Sequence, residues 1–135
     1  MTVEPSELLE RLAGTLRHEV GPAVGDEYTR TQTFMASVIL GKLAKQLALA
    51  PAHAEAEQAD VEELHRQLTE PLHAAPPEVV AAAESARSAG TVASLGPLIE
   101  AIYRWGPEED AAGEALARIR AVLRRDIDRR MEVAS

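Results

Sequence analysis

Apolar residues recur at three- and four-residue steps along most of this chain, a period that predicts helices rather than strands. The first predicted helix begins at Pro5, because proline is favoured in a first helical turn, and it ends at Gly21-Pro22. Its apolar stripe comprises Leu8, Leu9, Leu12, Leu16 and Val20. A short loop to Gly25 is then expected to turn the chain.

The second predicted helix begins at Asp26, a good N-cap, and continues to about Ala50, immediately before Pro51. Two neighbouring faces of this helix are apolar. One comprises Tyr28, Met35, Ile39, Leu43 and Leu47, and the other comprises Phe34, Val38 and Gly41. Because a helix that is apolar on more than one face is contacted from several sides, we expect the helix near 26–50 to lie at the centre of a bundle. It should be buried from about Phe34 onward.

Four further helices are predicted, each bounded by proline or glycine. Their ranges are about 51–70, 77–90, 92–105 and 108–131, and Gly96-Pro97 offers Pro97 as an alternative start for the third of these four. The third helix of the chain carries only a thin apolar stripe, so it should lie on the outside. The fourth is rich in alanine and should end at Gly90 as a C-cap. The last is the clearest amphipathic helix, with acidic residues in its first turn.

The composition favours the same fold class. Aromatic residues make up only 3% of the chain, whereas a sheet protein would be enriched in aromatic and β-branched residues. The predicted connections are short, which favours antiparallel neighbours. We therefore predict an all-α fold, an up-down bundle of five or six helices that forms a single domain over residues 1–135.

Composition and charge also exclude several functions. With no cysteine, the chain has neither a disulfide framework nor a Cys-ligated metal. The net charge of −8 disfavours nucleic acid and anionic membranes as partners. The N-terminus resembles no signal peptide, and no stretch approaches the roughly 20 apolar residues that span a bilayer. We expect a cytoplasmic protein that binds neither nucleic acid nor membrane.

Motifs for catalysis or metal binding are weak. Glu62-x-x-His65 and Glu70-x-x-His73 have the spacing of bundle di-iron sites, but such a site needs its two motifs on different helices. No serine lies in a Gly-x-Ser-x-Gly turn, and no glycine-rich phosphate loop is present. We predict no catalytic residue, no metal and no cofactor.

Arginines offer the more specific hypotheses. The six arginines between 118 and 130 flank the apolar stripe of the last helix, so we expect them to cover the core edges and to pair with acids of neighbouring helices. Arg30 shares a stripe with Phe34 at the start of the second helix. A shielded guanidinium there would bind either an anionic ligand or one of the chain's own acids, and the internal salt bridge is the more frequent arrangement. The candidate ligand-binding residues are Tyr28, Arg30 and Gln32.

Three stretches together resemble a known family. They are "SELLERLAGTLRHEVGPAV", "RTQTFMASVILGKLAKQL" and "LIEAIYRWGPEEDAAGEALARIRAVLRRDIDRRM". They are similar to small bacterial all-helical domains of unknown function found beside aminoglycoside-phosphotransferase-like kinases and acyl-CoA dehydrogenases. Glu19-Val20-Gly21-Pro22 and Arg30 match that family's turn and central helix, whereas Ser37-Val38-Ile39 stands where the family tends to carry asparagine. The resemblance implies an accessory role near such enzymes and no catalysis.

Two functions follow as hypotheses. The first is a non-enzymatic helical-bundle protein that acts through protein contacts, as a homodimer or as an accessory to a phosphotransferase-like or acyl-CoA-metabolising enzyme. The second is a small-ligand-binding module or enzyme with an anion-binding pocket around Arg30, because bundle sites commonly lie between helices.

Overall fold

The computed structural model describes residues 2–134, and its regular structure is entirely helical. About 85% of the structure is helix, and the described residues contain no strand, so the predicted all-α helical bundle is confirmed. The α-helices are α1 (Pro5–Thr15), α2 (Gly21–Ala23), α3 (Glu27–Leu68), α4 (Pro77–Ala89), α5 (Gly96–Trp105) and α6 (Asp110–Ala134). A π-helical turn over Leu16–Val20 joins α1 to α2, and a 3₁₀ turn over Val92–Leu95 precedes α5.

The chain divides into two compact units. Unit 1 contains the residues up to Ala52 together with those from Val133 onward, and unit 2 contains His53–Glu132. The boundary after Ala52 falls inside α3, so each unit includes one part of that helix.

Unit 2 contains the main hydrophobic core. The core residues are Leu64, Leu68, Leu72, Val79, Ala83, Ala86, Leu95, Leu98, Ala101, Ile102, Ala112, Ala115, Leu116, Ile119 and Val122. Ile102 and Val79 are completely buried, which for a large aliphatic side chain stabilises the fold by about 1.5–3 kcal/mol each. Ala83 and Ala86 are also buried, and small side chains there allow the neighbouring helices to approach α4 closely.

The helix ends in unit 2 follow their sequence signals. Gly90 ends α4 in the left-handed conformation, with φ of 67°, and its N–H donates to the carbonyl of Ala86. Trp105 is the last residue of α5, and Asp110 is the first of α6. The predicted C-cap and the predicted positions of the last three helices are confirmed.

In unit 1, the first helix does not stop at Gly21-Pro22 as predicted. The helical path continues through the π-helical turn and α2 as far as Ala23. Gly21 has helical backbone angles and is buried, and a Cβ at this position would lie 3.0 Å from both the Leu16 carbonyl oxygen and the Phe34 ring. Gly21 therefore provides space for the Phe34 ring and does not terminate the helix.

The second and third predicted helices are one helix, α3, with Pro51 inside it. A proline in a helix interior removes one backbone hydrogen bond and costs about 3 kcal/mol. Around Pro51 every second residue is alanine, the best helix former, at positions Ala48, Ala50, Ala52 and Ala54. The strong helical preference of these flanking residues explains why the helix continues, and the predicted break at Pro51 is wrong.

The burial of the two halves of α3 is the reverse of the prediction. The half expected on the outside supplies Val61, Leu64 and Leu68 to the core of unit 2, each 2% exposed. The half expected at the centre leaves most of its large apolar side chains exposed, including Met35 and Ile39. The central position predicted for the helix near 26–50, buried from Phe34 onward, is therefore wrong.

Candidate functional site

The first half of α3 presents a row of large apolar side chains to solvent. Met35, Ile39, Leu43 and Leu47 follow one another at four-residue steps and so lie on one side of the helix. We call these four residues the α3 apolar face. Their exposed fractions are 57%, 56%, 43% and 47%. Nothing within the described part of the chain covers this face.

The same stretch of α3 buries small residues instead. Ser37 and Ala44, seven positions apart, are its buried residues in unit 1. The Ser37 hydroxyl donates a 2.6 Å hydrogen bond to the Phe34 carbonyl oxygen, which satisfies it within the helix. The fully buried residues of this segment are thus small, whereas most of its large apolar side chains are exposed, which is unusual in a monomeric globular domain.

Arg30 binds the backbone and not a carboxylate. Its Nε and Nη2 groups donate to the Val24 carbonyl oxygen over 3.1 and 2.8 Å. Val24 is the C-cap of α2, so this contact closes the turn between α2 and α3. The internal salt bridge expected for Arg30 is therefore replaced by two hydrogen bonds to a carbonyl.

Asp26 caps the N-terminus of α3, immediately after the same turn. Its carboxylate accepts the Thr29 N–H over 2.9 Å and the Thr29 hydroxyl over 2.7 Å. These two hydrogen bonds lower the pKa of the Asp26 carboxyl, because they stabilise its charged form. The N-cap predicted at Asp26 is confirmed.

The three candidate ligand-binding residues do not share one side of α3. Tyr28 and Gln32 are four positions apart and lie roughly 40° from one another around the helix, whereas Arg30 lies about 160° from each. All three are exposed, Tyr28 to 73%. The helix therefore separates Arg30 from the other two, and this geometry gives no support to a pocket built by all three.

A groove of about 390 Å³ lies in unit 1, lined by residues of α1, the π-helical turn and α3 together with Val133 of α6. Four of its residues carry basic side chains: Arg17, His18, Lys42 and Lys45. None of its lining residues is acidic. No sequence motif marks these four residues, although α3 has no acidic residue between Glu27 and Glu55, and such a gap indicates a basic surface in an acidic chain.

Two glycines also line this groove. A Cβ added at Gly14 or at Gly41 would meet no other atom within 4 Å. Neither glycine is required by a tight contact within the chain, yet each lies inside a helix, where glycine costs about 1 kcal/mol relative to alanine. Both glycines keep space open above the helix backbone.

Both residues of the Glu62-x-x-His65 motif have partners on α4. His65 Nε2 lies 3.5 Å from Glu84 Oε1, and Glu62 Oε1 lies 3.3 Å from Arg87 Nη2. Within residues 2–134, no group of three or more His, Asp or Glu side chains is placed to bind a metal ion. Glu62 and Glu84 therefore make structural contacts in unit 2.

The arginines of α6 pair with acids both on α3 and on α6 itself. Arg129 Nη2 lies 2.6 Å from Asp60 Oδ2, and Arg129 Nη1 lies 3.8 Å from Asp126 Oδ1. Arg130 Nε donates to the other Asp126 oxygen over 2.8 Å. This hydrogen bond and the Asp126 charge raise the pKa of Arg130 further. The Asp60 contact confirms the predicted pairing with a neighbouring helix.

Judged by length and composition alone, α3 is long and apolar enough to cross a membrane. No other helix within residues 2–134 is. In the most apolar 18-residue stretch of α3, only 11% is buried inside the structure. The same test is passed by core helices of soluble proteins, so this result does not assign a location.

Comparison with known proteins returned no relative. No protein-family model matches the chain, and no curated protein or solved structure that was compared with it matches either. The family resemblance derived from the sequence motifs therefore stays a prediction.

Proposed function

We propose that this is a non-enzymatic helical-bundle protein that acts through protein contacts, and that the α3 apolar face makes them. The exposure of this face is the observation that supports the proposal. Isolated apolar residues on a surface are normal, but four large ones in a continuous row are typical of an interaction site.

A second copy of this chain is the occupant that fits the face best. The face contains no charged residue, so pairing two copies would bury no unpaired charge. Its four residues are evenly spaced, so an antiparallel copy would place Ile39 opposite Leu43 and Met35 opposite Leu47. Such a two-fold contact is self-complementary.

The expected affinity is modest. The four side chains are about half exposed, so covering each would contribute about 0.8–1.5 kcal/mol, and two copies together about 6–12 kcal/mol. Association costs at least about 4 kcal/mol in lost translational and rotational freedom. A net gain of about 2–8 kcal/mol remains, which corresponds to a dissociation constant between about one micromolar and tens of millimolar.

A bilayer fits the face less well. Lys42 and Lys45 lie within the most apolar stretch of α3, and a lysine at the centre of a membrane helix costs about 2.5–3.5 kcal/mol. Both lysines line the groove of unit 1. These charges favour a protein surface over lipid as the occupant of this half of α3.

An accessory role beside a phosphotransferase-like or acyl-CoA-metabolising enzyme is the second candidate. Its support is the resemblance of the three sequence stretches to domains found beside such enzymes. In this case the α3 apolar face would contact the enzyme. The alternative of an anion pocket around Arg30 is less favoured, because the Arg30 guanidinium already donates twice to Val24.

Sedimentation equilibrium over a wide range of protein concentration tests the dimer. The wild type should shift from the monomer mass of 14.5 kDa towards twice that value as concentration rises. Ile39→Ser should stay monomeric. Val80→Ser, which also replaces an exposed β-branched residue but in unit 2, should dimerise like the wild type.

Other outcomes would reject a second copy of the chain as the occupant of the α3 apolar face. A wild type that remains monomeric at every concentration excludes it. If that monomer binds a purified phosphotransferase-like or acyl-CoA-metabolising enzyme and Ile39→Ser does not, the accessory role is supported. If it binds neutral lipid vesicles instead, the protein-contact proposal fails.

A further inference from the structure

We propose that the groove of unit 1 is a binding site for a small ligand that carries a phosphate monoester. This site is distinct from the α3 apolar face and does not depend on the proposed dimer. Four basic side chains from two helical segments line the groove, and the ligand's phosphate would lie among them.

The charge of the groove is the first reason. Two of its side chains, Arg17 and Lys42, carry a full positive charge, Lys45 adds a third basic group to the lining, and His18 adds a ring N–H donor. No acidic residue lines the groove beside Arg17 and Lys42, although the chain as a whole has a net charge of −8. A phosphate monoester carries a charge of about −1.5 to −2 at neutral pH and offers three acceptor oxygens. It therefore matches this set better than a single carboxylate does.

The absence of internal partners is the second reason. Within residues 2–134, Arg17 and Lys42 take part in no ion pair and no side-chain hydrogen bond. The basic residues of unit 2 include several that do pair, such as Arg129 with Asp60. The guanidinium of Arg17 is thus available for a bidentate contact with phosphate oxygens, and Lys42 is available as a point charge.

The space in the groove is the third reason. Its volume of about 390 Å³ lies within the range of small-molecule sites. The absence of a side chain at Gly14 and Gly41 leaves the backbone of both helices accessible there. Ala13 and Val38 add apolar lining. A compact apolar or ring-sized body attached to the phosphate would fill this space.

Calorimetric titration of the full chain with phenyl phosphate tests the site. Arg17→Gln and Lys42→Gln should each weaken binding by about tenfold or more, because each removes a charge-assisted hydrogen bond. Arg11→Gln removes the same charge from α1 outside the groove lining and should leave binding unchanged. Benzoate, which has the same ring but a single charge, should bind more weakly than phenyl phosphate.

A second variant tests the space independently of charge. Gly41→Leu keeps every basic residue and should abolish phenyl phosphate binding, because the leucine side chain would occupy the groove. Circular dichroism checks that the variant is folded. A Gly41→Leu protein that is folded and binds phenyl phosphate like the wild type would overturn the proposal.

The phosphate could belong to a free metabolite or to a lipid headgroup, and vesicles distinguish the two. Binding of phenyl phosphate without binding to phosphatidylcholine vesicles that contain phosphatidic acid indicates a free ligand. Binding only to the vesicles, lost in Lys42→Gln, indicates the headgroup. Binding to neither, or equal weakening by Arg11→Gln and Arg17→Gln, rejects the site. Ile39→Ser should dissociate the proposed dimer yet bind phenyl phosphate normally, so the two proposals can fail separately.

Discussion

Replacing Arg129 with alanine would remove the one side chain that bridges Asp60 on α3 and Asp126 on α6. The side chains of Arg129 and Asp60 are 17% and 19% exposed, so both charges are largely withdrawn from water. Breaking a fully buried pair costs about 3–5 kcal/mol, because one charge stays buried without a partner. Partial exposure reduces this cost, and Asp126 keeps Arg130 as a partner. We expect Arg129→Ala to lower the free energy of unfolding by about 2–4 kcal/mol.

Urea denaturation followed by circular dichroism measures this change, with Arg120→Ala as the control. Arg120 is exposed on the same helix and has no ion pair within residues 2–134, so its loss should change the free energy of unfolding by less than about 0.5 kcal/mol. A double-mutant cycle with Asp60→Asn isolates the pair itself and should give a coupling above about 1 kcal/mol. An additive cycle, or an effect of Arg129→Ala no larger than that of Arg120→Ala, would show that the bridge does not stabilise unit 2.

Three further predictions address single residues. Pro51→Ala restores a helical hydrogen bond and should raise the free energy of unfolding by about 1–3 kcal/mol in urea denaturation; a loss of helical ellipticity instead would mean that the helix breaks there. Ile102→Ala creates a core cavity and should cost about 2–5 kcal/mol in the same assay, whereas Ile127→Ala, at an exposed position, should cost far less. Hydrogen bonds from Thr29 lower the pKa of Asp26 below its ordinary value of 3.8, so the cap is intact above that pH and is lost as pH falls through the lowered value. The protection of the Thr29 amide, measured by NMR as its exchange rate relative to the intrinsic rate at the same pH, should fall only in that acidic range, whereas in Asp26→Ala it should be reduced at every pH.

The helices of unit 2 could be predicted because their boundaries depend on local chemistry. Gly90 adopts a left-handed conformation that few other residues tolerate, and Gly106-Pro107 prevents continuation of α5. Such signals act within a few residues and need no knowledge of tertiary contacts. For the same reason the N-cap at Asp26 could be predicted, since its side chain accepts hydrogen bonds from Thr29, three residues further along the chain.

The hydrogen-bond partner of Arg30 could not be predicted, because helical spacing determines the direction of a side chain but not which group it contacts. The periodicity placed Arg30 near the start of a helix, but it could not show that the chain turns back so that the Val24 carbonyl lies within 2.8 Å. The grouping of Tyr28, Arg30 and Gln32 followed closeness in sequence, whereas residues two apart on a helix point to nearly opposite sides. Helical geometry therefore does not favour one pocket shared by all three, and this could be seen from the sequence alone.

The basic groove could not be predicted from the sequence either. Arg17 and Lys42 are 25 positions apart, and neither belongs to a recognisable motif. They line the same groove because the fold of unit 1 brings the π-helical turn, which carries Arg17, alongside α3. The absence of acidic residues between Glu27 and Glu55 indicates a basic surface on α3, but it does not indicate which other segment of the chain lines the groove.

The reversal in α3 has a physical explanation in side-chain size. Hydrophobic periodicity marks which residues avoid water, and the first half of α3 satisfies that criterion on two faces. It does not say which face the chain itself covers. Where α3 is buried in unit 1, its side chains are as small as Ser37 and Ala44, which allows close approach of helices but covers little apolar area. The large residues Met35 and Ile39 remain exposed, and they are the ones whose burial would contribute most free energy. A chain that folded only for its own stability would bury the large residues and expose the small ones. The exposure of most large residues in the first half of α3 therefore supports the proposal that another molecule covers this half of the helix.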